Sequence, residues 1–473
     1  MYPVETFTSI QFIFVFLPIF LIIYFLLPIK WKNLWIFAGS LCFYAVSAVD
    51  KPQYILLLIL SVIVNFLFGK SIEKSDEPKF LLTIGIAYNL LWLCVFKYAD
   101  FIFENINFIS EKLGGDGQLL HPWNLLLPLG ISFYTFQSIS YLIDVYRRDV
   151  KAETSFADFG AYLTMFPKLT MGPIARYKDM KDELKRRASS FKNFDEGLRI
   201  FALGMGFKVL LANRIGSCFS DIQAVGFESI SAPVAWMGIF AYSFQLYFDF
   251  YGYSMMAVGL GRMMGFTIPV NFEHPYESVT MTEFWRRWHM TLGSWFRDYV
   301  YIPLGGNRRS AHRVYFNLLA VWLLTGFWHG AGWNFIIWGL FLFVVIAIEK
   351  SGLKKIMDKI RPLGHLYMLL LIPLSWMIFA ITDMGQLWVY LERLFDFAGT
   401  GSDTVFEGDF AKYLDMYGVL MVICFIMCTS LPEKLFGLIR NRVAGSVILF
   451  VIFWACMYFL YIGLNDPFMY FRF

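Results

Sequence analysis

The amino-acid sequence predicts an all-α protein that crosses a membrane many times. Hydrophobic residues make up 58% of the 473 residues and charged residues only 16%, whereas soluble domains have about 25% charged residues. The apolar residues are grouped in runs of roughly 20, the length that a helix needs to cross about 30 Å of hydrocarbon. Most charged residues lie between these runs. A polytopic helical membrane fold is therefore expected.

The apolar runs predict eleven or twelve transmembrane helices. These lie near residues 8–28, 33–49, 52–69, 80–98, 124–144, 194–213, 232–262, 313–329, 332–349, 365–381, 414–431 and 444–463. A further run, 156–174, contains Pro167, Gly172 and Pro173, which predicts a re-entrant or interfacial segment. No soluble portion separates from these runs, so we expect one multi-pass domain over residues 1–473.

Loop charges predict the orientation. Lys and Arg are in excess in five segments, namely 147–151, 176–187, 283–309, 350–361 and 433–442. Such an excess marks the cytoplasmic side, whereas the acidic loops 100–123 and 382–413 are then outside. The segment 176–187 is too charged to span, so we expect a helix at the membrane surface there.

Overall charge and cysteine spacing exclude several classes of protein. The net charge of +4 is small for 473 residues, so a nucleic-acid partner is not expected. The six cysteines form no C-x-x-C pair, which leaves neither a disulfide framework nor a zinc site. No metal site is therefore expected.

The segment 283–309 is unusually charged for this chain. It reads EFWRRWHMTLGSWFRDYVYIPLGGNRR and contains five arginines and His289. Arginine binds phosphate through paired hydrogen bonds, and indole rings offer flat stacking surfaces. The segment therefore fits a phosphorylated, adenine-bearing ligand at the membrane edge. A basic and aromatic belt at the membrane interface accounts for the same composition equally well.

His329 lies between two apolar runs, in LLTGFWHGAGWNFIIWGL. The preceding run of about 16 residues rises roughly 24 Å, less than the hydrocarbon thickness, so His329 should lie inside the membrane. A buried imidazole is neutral at pH 7, because burial disfavours its cation, and a neutral imidazole can act as a general base. The other interpretation is a structural histidine held by hydrogen bonds.

Three polar residues share one face of the run 232–262. Gln245, Asp249 and Tyr253 are spaced four apart, and an ionisable group in lipid is either functional or paired. We expect a functional carboxylate, or a structural salt bridge from Asp249 to an arginine of the segment 283–309.

Two motifs now indicate a family. The stretch 283–308 and the later WHGAGWNFIIWG, 328–339, resemble the membrane-bound O-acyltransferase family, and within it the bacterial polysaccharide O-acetyltransferase group that includes the membrane subunit for alginate. Residues 127–147, 245–266 and the C-terminal FMYFRF resemble the same group. The resemblance covers nearly the whole chain.

The resemblance implies a fold, an activity and a location. The implied fold is a ring of tilted helices around a central tunnel in the cytoplasmic membrane of a bacterium. The implied reaction moves an acyl group, as a rule acetyl, from a cytoplasmic thioester to a hydroxyl of an extracytoplasmic polysaccharide. The expected donor is acetyl-coenzyme A or an acyl carrier protein, and a secreted or membrane-anchored partner commonly completes the transfer.

The resemblance also assigns residues to roles. His329 is the implied catalytic residue and His289 the second important position. We expect the donor to contact Arg286, Arg287, Trp285, Arg308 and Arg309. We expect support or tunnel lining from Asp249, Gln245, Tyr253, Asp298, Asn307 and Trp328.

Two other functions stay open at this point. A D-alanyl transferase for teichoic acids would use a carrier-protein thioester and a broad basic docking face. A transporter or polymer flippase would also have about twelve spans with an intramembrane Asp and His, but it should show two related halves, which this sequence lacks.

Overall fold

The computed structural model describes residues 6–48, 51–397, 405–406, 408–440 and 442–463. Within these residues the regular structure is helical and no β-strand occurs, which confirms the predicted all-α class. The chain forms two compact units, Met1–Phe201 with Met256–Pro269, and Ala202–Met255 with Val270–Phe473. The expectation of one domain stays a prediction.

The first unit contains ten α-helices. They are α1 Leu17–Leu26, α2 Ile29–Ser47, α3 Gln53–Lys74, α4 Pro78–Leu93, α5 Ala99–Lys112, α6 Ile131–Tyr146, α7 Phe156–Thr164, α8 Phe166–Leu169, α9 Tyr177–Lys185 and α10 Phe191–Met205, whose last four residues belong to the second unit. Short π-helical segments precede α1 and α5, at Phe12–Phe16 and Cys94–Tyr98.

The predicted interruption of the run 156–174 is present. The run forms two short helices, α7 and α8, and Pro167 lies in the first turn of α8, where its missing N–H costs nothing. The chain then turns so closely that a Cβ atom on Gly172 would lie 2.3 Å from the Pro167 carbonyl oxygen. The depth of this segment in a membrane stays a prediction.

The segment 176–187 forms the predicted helix, α9, and its place at a membrane surface stays a prediction. It buries Tyr177, Met180 and Leu184 on one side and leaves most of its charged residues outside. At its end the Arg187 guanidinium donates to the Asn33 side-chain oxygen at 2.7 Å. The segment 176–187 is therefore held against the rest of the first unit by the apolar face of α9 and by Arg187.

The second unit contains the remaining helices. They are α11 Asn213–Val225, α12 Ala232–Met263, α13 Met281–Arg287, α14 Met290–Phe296, α15 Ala311–His329, α16 Trp333–Ile348, α17 Lys354–Lys359, α18 Arg361–Ala380, α19 Met384–Phe395, α20 Asp409–Met427, α21 Leu431–Ile439 and α22 Val443–Tyr461; residues 256–263 of α12 belong to the first unit. Further π-helical segments are Gly206–Ala212, Arg297–Tyr301 and Glu349–Leu353.

Helices α15 and α16 form a tight hairpin that presents His329. A Cβ atom on Gly326 would lie 2.2 Å from the Phe335 carbonyl oxygen, and one on Gly339 would lie 2.5 Å from the Trp322 carbonyl oxygen. Only glycine allows two helix backbones to approach so closely. His329, the last residue of α15, is therefore held at the turn of a rigid pair of helices.

Six helical stretches in the described residues are long and apolar enough to cross a membrane. They are Gln53–Lys74, Pro78–Lys112, Trp333–Lys359, Arg361–Ala380, Asp409–Met427 and Val443–Tyr461. The chain is thus a multi-pass membrane protein. Other predicted spans, such as 232–262 and 313–329, fall on helices that are shorter or more polar than these six. The tunnel stays a prediction, and FMYFRF and part of the loop 382–413 lie outside the described residues.

Candidate active site

The candidate site is built around a sharp corner between α13 and α14. His289 occupies this corner with a left-handed backbone, φ +44°, a conformation that costs about 1–3 kcal/mol for a residue other than glycine. The neighbouring segment 271–273 holds this corner in place. The Met290 N–H donates to the Asn271 carbonyl oxygen at 2.9 Å, and the Glu273 N–H donates to the Arg287 carbonyl oxygen at 3.0 Å.

The imidazole of His289 is buried and has no hydrogen-bond partner at either ring nitrogen. Its ring packs edge-on against Phe250, with 4.7 Å between the ring centres. Burial lowers the pKa of His289 to about 3, so the ring is neutral at physiological pH. A neutral imidazole carries one N–H donor and one acceptor nitrogen. Neither is hydrogen-bonded to another described residue.

His289 lines a cavity of about 230 Å³ within the second unit. Most of the wall is apolar or aromatic, and the polar groups are few. They belong to Thr282, Trp285, Arg286, His289, Arg297, Tyr301 and Thr325. Arg286 and Arg297 are exposed and so mark the open side, whereas the buried indole nitrogen of Trp285 has no hydrogen-bond partner. An apolar cleft with a few converging polar groups is typical of a small-molecule site.

His329 lies in an aromatic box beside this cavity, not in its wall. The ring centres of Trp328, Trp338 and Phe379 lie 4.8, 5.1 and 5.2 Å from that of His329. The indole of Trp328 also contacts His289, at 6.1 Å. The structure therefore brings both predicted histidines and Trp328 together. Catalysis by His329 stays a prediction.

Tryptophans in the wall of the cavity pack on further tryptophans to form an aromatic layer. The ring of Trp285 lies 5.0 Å from Trp322, 5.5 Å from Trp338 and 6.0 Å from Trp376. Electrostatic interactions are stronger in apolar surroundings than in water. His289 and the indole nitrogen of Trp285 are buried and act in such surroundings, whereas Arg286 and Arg297 are exposed.

The structure separates the four arginines predicted to bind the donor. Arg286 lines the cavity, whereas the Arg287 guanidinium pairs with the Glu283 carboxylate at 2.8 Å. Arg308 and Arg309 are exposed and do not line it, and the Arg309 side chain lies over Gly305. Of the predicted donor contacts, only Arg286 and Trp285 therefore belong to the cavity wall.

Two predicted support residues contact residues of the wall. The Asp298 carboxylate accepts from the Arg297 guanidinium at 2.7 Å, and the Asn307 side-chain oxygen accepts from the Tyr301 hydroxyl at 2.7 Å. Asp298 and Asn307 thus lie one layer behind the cavity and orient two of its polar groups.

The partner of Asp249 differs from the expectation. The Lys208 ammonium lies 2.5 Å from the Asp249 carboxylate, and both side chains are almost fully buried. The expectation of an arginine from the segment 283–309 was wrong, because a lysine inside the apolar run 194–213 reaches Asp249 from the π-helical segment Gly206–Ala212. The same ammonium donates to the Asn213 side-chain oxygen at 3.1 Å.

Gln245 and Tyr253 are buried on α12 near Asp249. Gln245 packs on Gly216, where a Cβ atom would lie 2.2 Å from its amide nitrogen. Neither residue lines the cavity around His289. The face of α12 that carries these three residues therefore packs against neighbouring helices at Gln245 and Asp249, and its role in a tunnel stays a prediction.

Several residues of the cavity were missed in the sequence, namely Thr282, Gly293, Arg297, Tyr301 and Thr325. The signal was present as a spacing. Positions 293, 297 and 301 are spaced four apart, which places them on one side of a helical path. Positions 282 and 285 lie on α13, before the corner at His289, so spacing alone does not bring the two sets together.

Comparison with known proteins identifies the family. The model of MBOAT, the membrane-bound O-acyltransferase family, matches residues 147–382. The probable alginate O-acetylase AlgI of Azotobacter vinelandii is 39% identical over 393 residues, which are 83% of this chain and 78% of that protein. This chain belongs to the membrane-bound O-acyltransferase family. It is a membrane-embedded acyltransferase, as the two sequence motifs indicated.

Two other similar proteins are named for different activities. The peptidoglycan O-acetyltransferase of Helicobacter pylori is 37% identical over 380 residues, 73% of this chain and 70% of that protein. The teichoic acid D-alanyltransferase of Streptococcus thermophilus is 32% identical over 247 residues, 49% of this chain and 59% of that protein. The segment of the MBOAT match contains His289, His329 and both arginines of the cavity.

The buried pair of Lys208 and Asp249 predicts a stability effect. Lys208→Met or Asp249→Asn alone should destabilise the detergent-solubilised protein by about 3–5 kcal/mol, because each leaves a buried charge uncompensated. The double variant Lys208→Met/Asp249→Leu should recover most of this loss. Thermal unfolding of the purified variants measures it, and single variants as stable as the wild type would contradict a structural ion pair.

Proposed function

We propose that this acyltransferase moves an acetyl group from a cytoplasmic thioester to a hydroxyl outside the cytoplasmic membrane of a bacterium. The acceptor is a polysaccharide, or a secreted or membrane-anchored partner protein that carries the acetyl group onward. The names of the similar O-acetylase and O-acetyltransferase support acetyl as the group. The observation that carries the proposal is the neutral, unpartnered imidazole of His289 facing a cavity with two arginines at its open side.

The donor is acetyl-coenzyme A, bound with its phosphates toward the open side of the cavity. Arg286 and Arg297 are exposed there and can each form paired hydrogen bonds to a phosphate. The apolar remainder of the cavity accommodates the uncharged arm of the donor. Asp298 fixes the Arg297 guanidinium and so prepares it for a planar, bidentate contact.

His289 stabilises charge on the thioester. During attack the carbonyl oxygen of the acetyl group becomes negative, and a fixed hydrogen-bond donor at that oxygen lowers the barrier. The neutral ring of His289 supplies one N–H in a setting that excludes water. Since its pKa is about 3, the ring does this throughout the physiological pH range without first losing a proton.

His329 serves as the general base. Its imidazole takes the proton of the acceptor hydroxyl while that oxygen attacks the thioester carbonyl carbon. The new C–O bond forms, the C–S bond breaks, and the thiolate leaves with the bonding electrons. The imidazolium then returns the proton to the thiolate. Trp328 contacts both histidine rings, so the reacting carbonyl must come to lie near this indole.

D-alanyl transfer to teichoic acid is the second candidate. The similar teichoic acid D-alanyltransferase matches 49% of this chain, less than the O-acetylases do. D-alanyl transfer would require a carrier-protein thioester as the donor in place of acetyl-coenzyme A. Membranes that contain this protein should transfer label from acetyl-coenzyme A to polymer. Transfer only from a D-alanyl carrier protein would replace the proposal with this candidate.

Replacement of His329 tests the reaction. His329→Ala should fold and insert normally but reduce acetyl transfer by at least about 100-fold, the lower range for loss of a general base. His312→Ala is the matched control, because His312 is an exposed histidine on the same helix, α15. Ester-linked acetate on the cell-surface polysaccharide is measured by mass spectrometry. Near-normal acetate with His329→Ala contradicts the role as base.

Two adjacent arginines test the binding of the donor. Arg286→Gln should raise the KM for acetyl-coenzyme A about ten-fold and change kcat little, because a lost phosphate contact weakens binding of ground state and transition state alike. Arg287→Gln should change KM less than about two-fold, since Arg287 pairs with Glu283 in a partly exposed ion pair. Equal effects of the two substitutions would contradict the cavity as the donor site.

Replacement of His289 tests stabilisation of the oxyanion. His289→Ala should reduce kcat about 100- to 1000-fold. His289→Asn and His289→Gln place an amide N–H near one or the other ring nitrogen, and the variant that recovers activity identifies the nitrogen that acts.

The pH dependence supplies the control for this role. Because the pKa of His289 is about 3 in the folded protein, the active amide variant should keep the wild-type pH profile between about pH 5 and 8. An acid limb near the ordinary histidine pKa of about 6.5 that disappears with His289 would show that this ring titrates during the reaction.

A further inference from the structure

A second cavity of the same unit lies away from both histidines. Its volume is about 450 Å³, and it lies among α12, α18 and the end of α20. Its wall is largely apolar and includes Phe240, Phe244, Leu369, Ile372 and Phe425. None of these residues lines the cavity around His289, so the two cavities are distinct.

Three polar residues of the second cavity lie near the ends of α18 and α20. His365 is in the first turn of α18, Thr429 follows the last turn of α20, and Glu277 precedes α13. The start of α18 packs closely on the loop before α13, which contains Glu277 and Val279. A Cβ atom on Gly364 would lie only 2.6 Å from the Val279 Cβ. The cavity therefore runs from a polar end, beside the first turn of α18, toward the middle of that helix.

The apolar wall reaches the outer surface of membrane-crossing helices. Both α18 and α20 are among the helices long and apolar enough to cross a membrane. Leu369 is 39% exposed and Phe425 is 54% exposed, although both line the cavity. Outside these helices the surroundings are lipid acyl chains, so an acyl chain can enter the cavity from the side.

The charges at the polar end favour a phosphate. Its carboxylates are engaged within the protein: Glu277 accepts from the Ser430 N–H at 2.7 Å, and Glu433 pairs with His274 at 2.8 Å. The exposed residues Arg361, at the start of α18, and Lys434, beside Glu277, supply positive charge. This end also belongs to the side that the excess of Lys and Arg predicts to be cytoplasmic.

We propose that this cavity binds one glycerophospholipid of the cytoplasmic leaflet. One acyl chain lies along Phe240, Phe244 and Ile372, and the phosphate lies beside His365. Basic residues at a membrane surface attract anionic lipid groups, each contributing about a five-fold gain in affinity. The proposal depends on membrane insertion and on this cavity, and it is independent of the proposed donor and acceptor.

A bound lipid would also support the candidate active site. The ring of Tyr276, in the cavity wall, lies 6.3 Å from Phe244 and 5.8 Å from Phe284 of α13. Phe284 stacks on Trp288 at 5.4 Å, next to His289. An acyl chain that fills the cavity therefore fixes Tyr276 and, through it, the helix that leads to the corner at His289.

Two adjacent leucines give a matched test of the acyl-chain position. Leu369 lines the cavity, and its neighbour Leu370 is outside it with a similar exposure, 39% and 45% respectively. Leu369→Trp should fill the cavity, whereas Leu370→Trp should face lipid. Native mass spectrometry of the detergent-purified proteins counts the phospholipid that each retains.

The expected result distinguishes the two variants. The wild type and Leu370→Trp should each retain one phospholipid, and Leu369→Trp should show occupancy lower by about ten-fold, a difference expected when overpacking removes space for the ligand. Equal retention by all three proteins, or no retained phospholipid in the wild type, overturns the proposal.

The role of the phosphate is tested separately with delipidated protein. Phosphatidylglycerol and phosphatidylethanolamine should bind, and diacylglycerol with the same chains should bind about ten-fold more weakly. Lys434→Ala, which removes an exposed ammonium group beside Glu277, should weaken phospholipid binding about five-fold and leave diacylglycerol binding unchanged. Equal binding of diacylglycerol and phospholipid overturns recognition of a phosphate at this end.

Discussion

The candidate site depends on the left-handed backbone at His289. This corner ends α13, starts α14 and turns the imidazole into the cavity. The strain persists because the segment 271–273 binds the backbone on both sides of the corner and because Phe250 packs on the ring. Phe250 follows Asp249 directly, so the buried pair with Lys208 fixes the part of α12 that presses on His289. Strain of this kind is retained where the surroundings over-determine it.

Burial gives the two histidines their chemical character. In a soluble setting an imidazole without partners would bind water, but the ring of His289 has aromatic neighbours and no hydrogen-bond partner. The tryptophan layer around Trp285 and Trp338 also packs on His329, at 5.1 Å between the ring centres of Trp338 and His329. Burying a poorly solvated imidazole lowers the stability of the fold. The same burial makes the fixed ring a stronger hydrogen-bond donor or base.

Periodicity and composition predicted the helices well, because each apolar run encodes its own length. Contacts between distant runs were harder to predict from the sequence. The predicted arginine partner of Asp249 was wrong, because Lys208, 41 positions earlier, supplies the positive charge. No local sequence pattern indicates such a pairing. Arg286 and Arg287 are equivalent by composition, yet adjacent helical residues point about 100° apart. Only the direction of α13 decides which of them faces the cavity.

Helix α13 explains why so much charge lies in so apolar a chain. In seven residues it directs Phe284 toward Tyr276 and the wall of the second cavity, Arg286 toward the cavity beside His289, and Arg287 toward Glu283. Each side chain meets a different environment, because positions 284, 286 and 287 are spread around the helix axis. One short helix therefore accounts for two of the five arginines in the segment 283–309 and gives each a different partner.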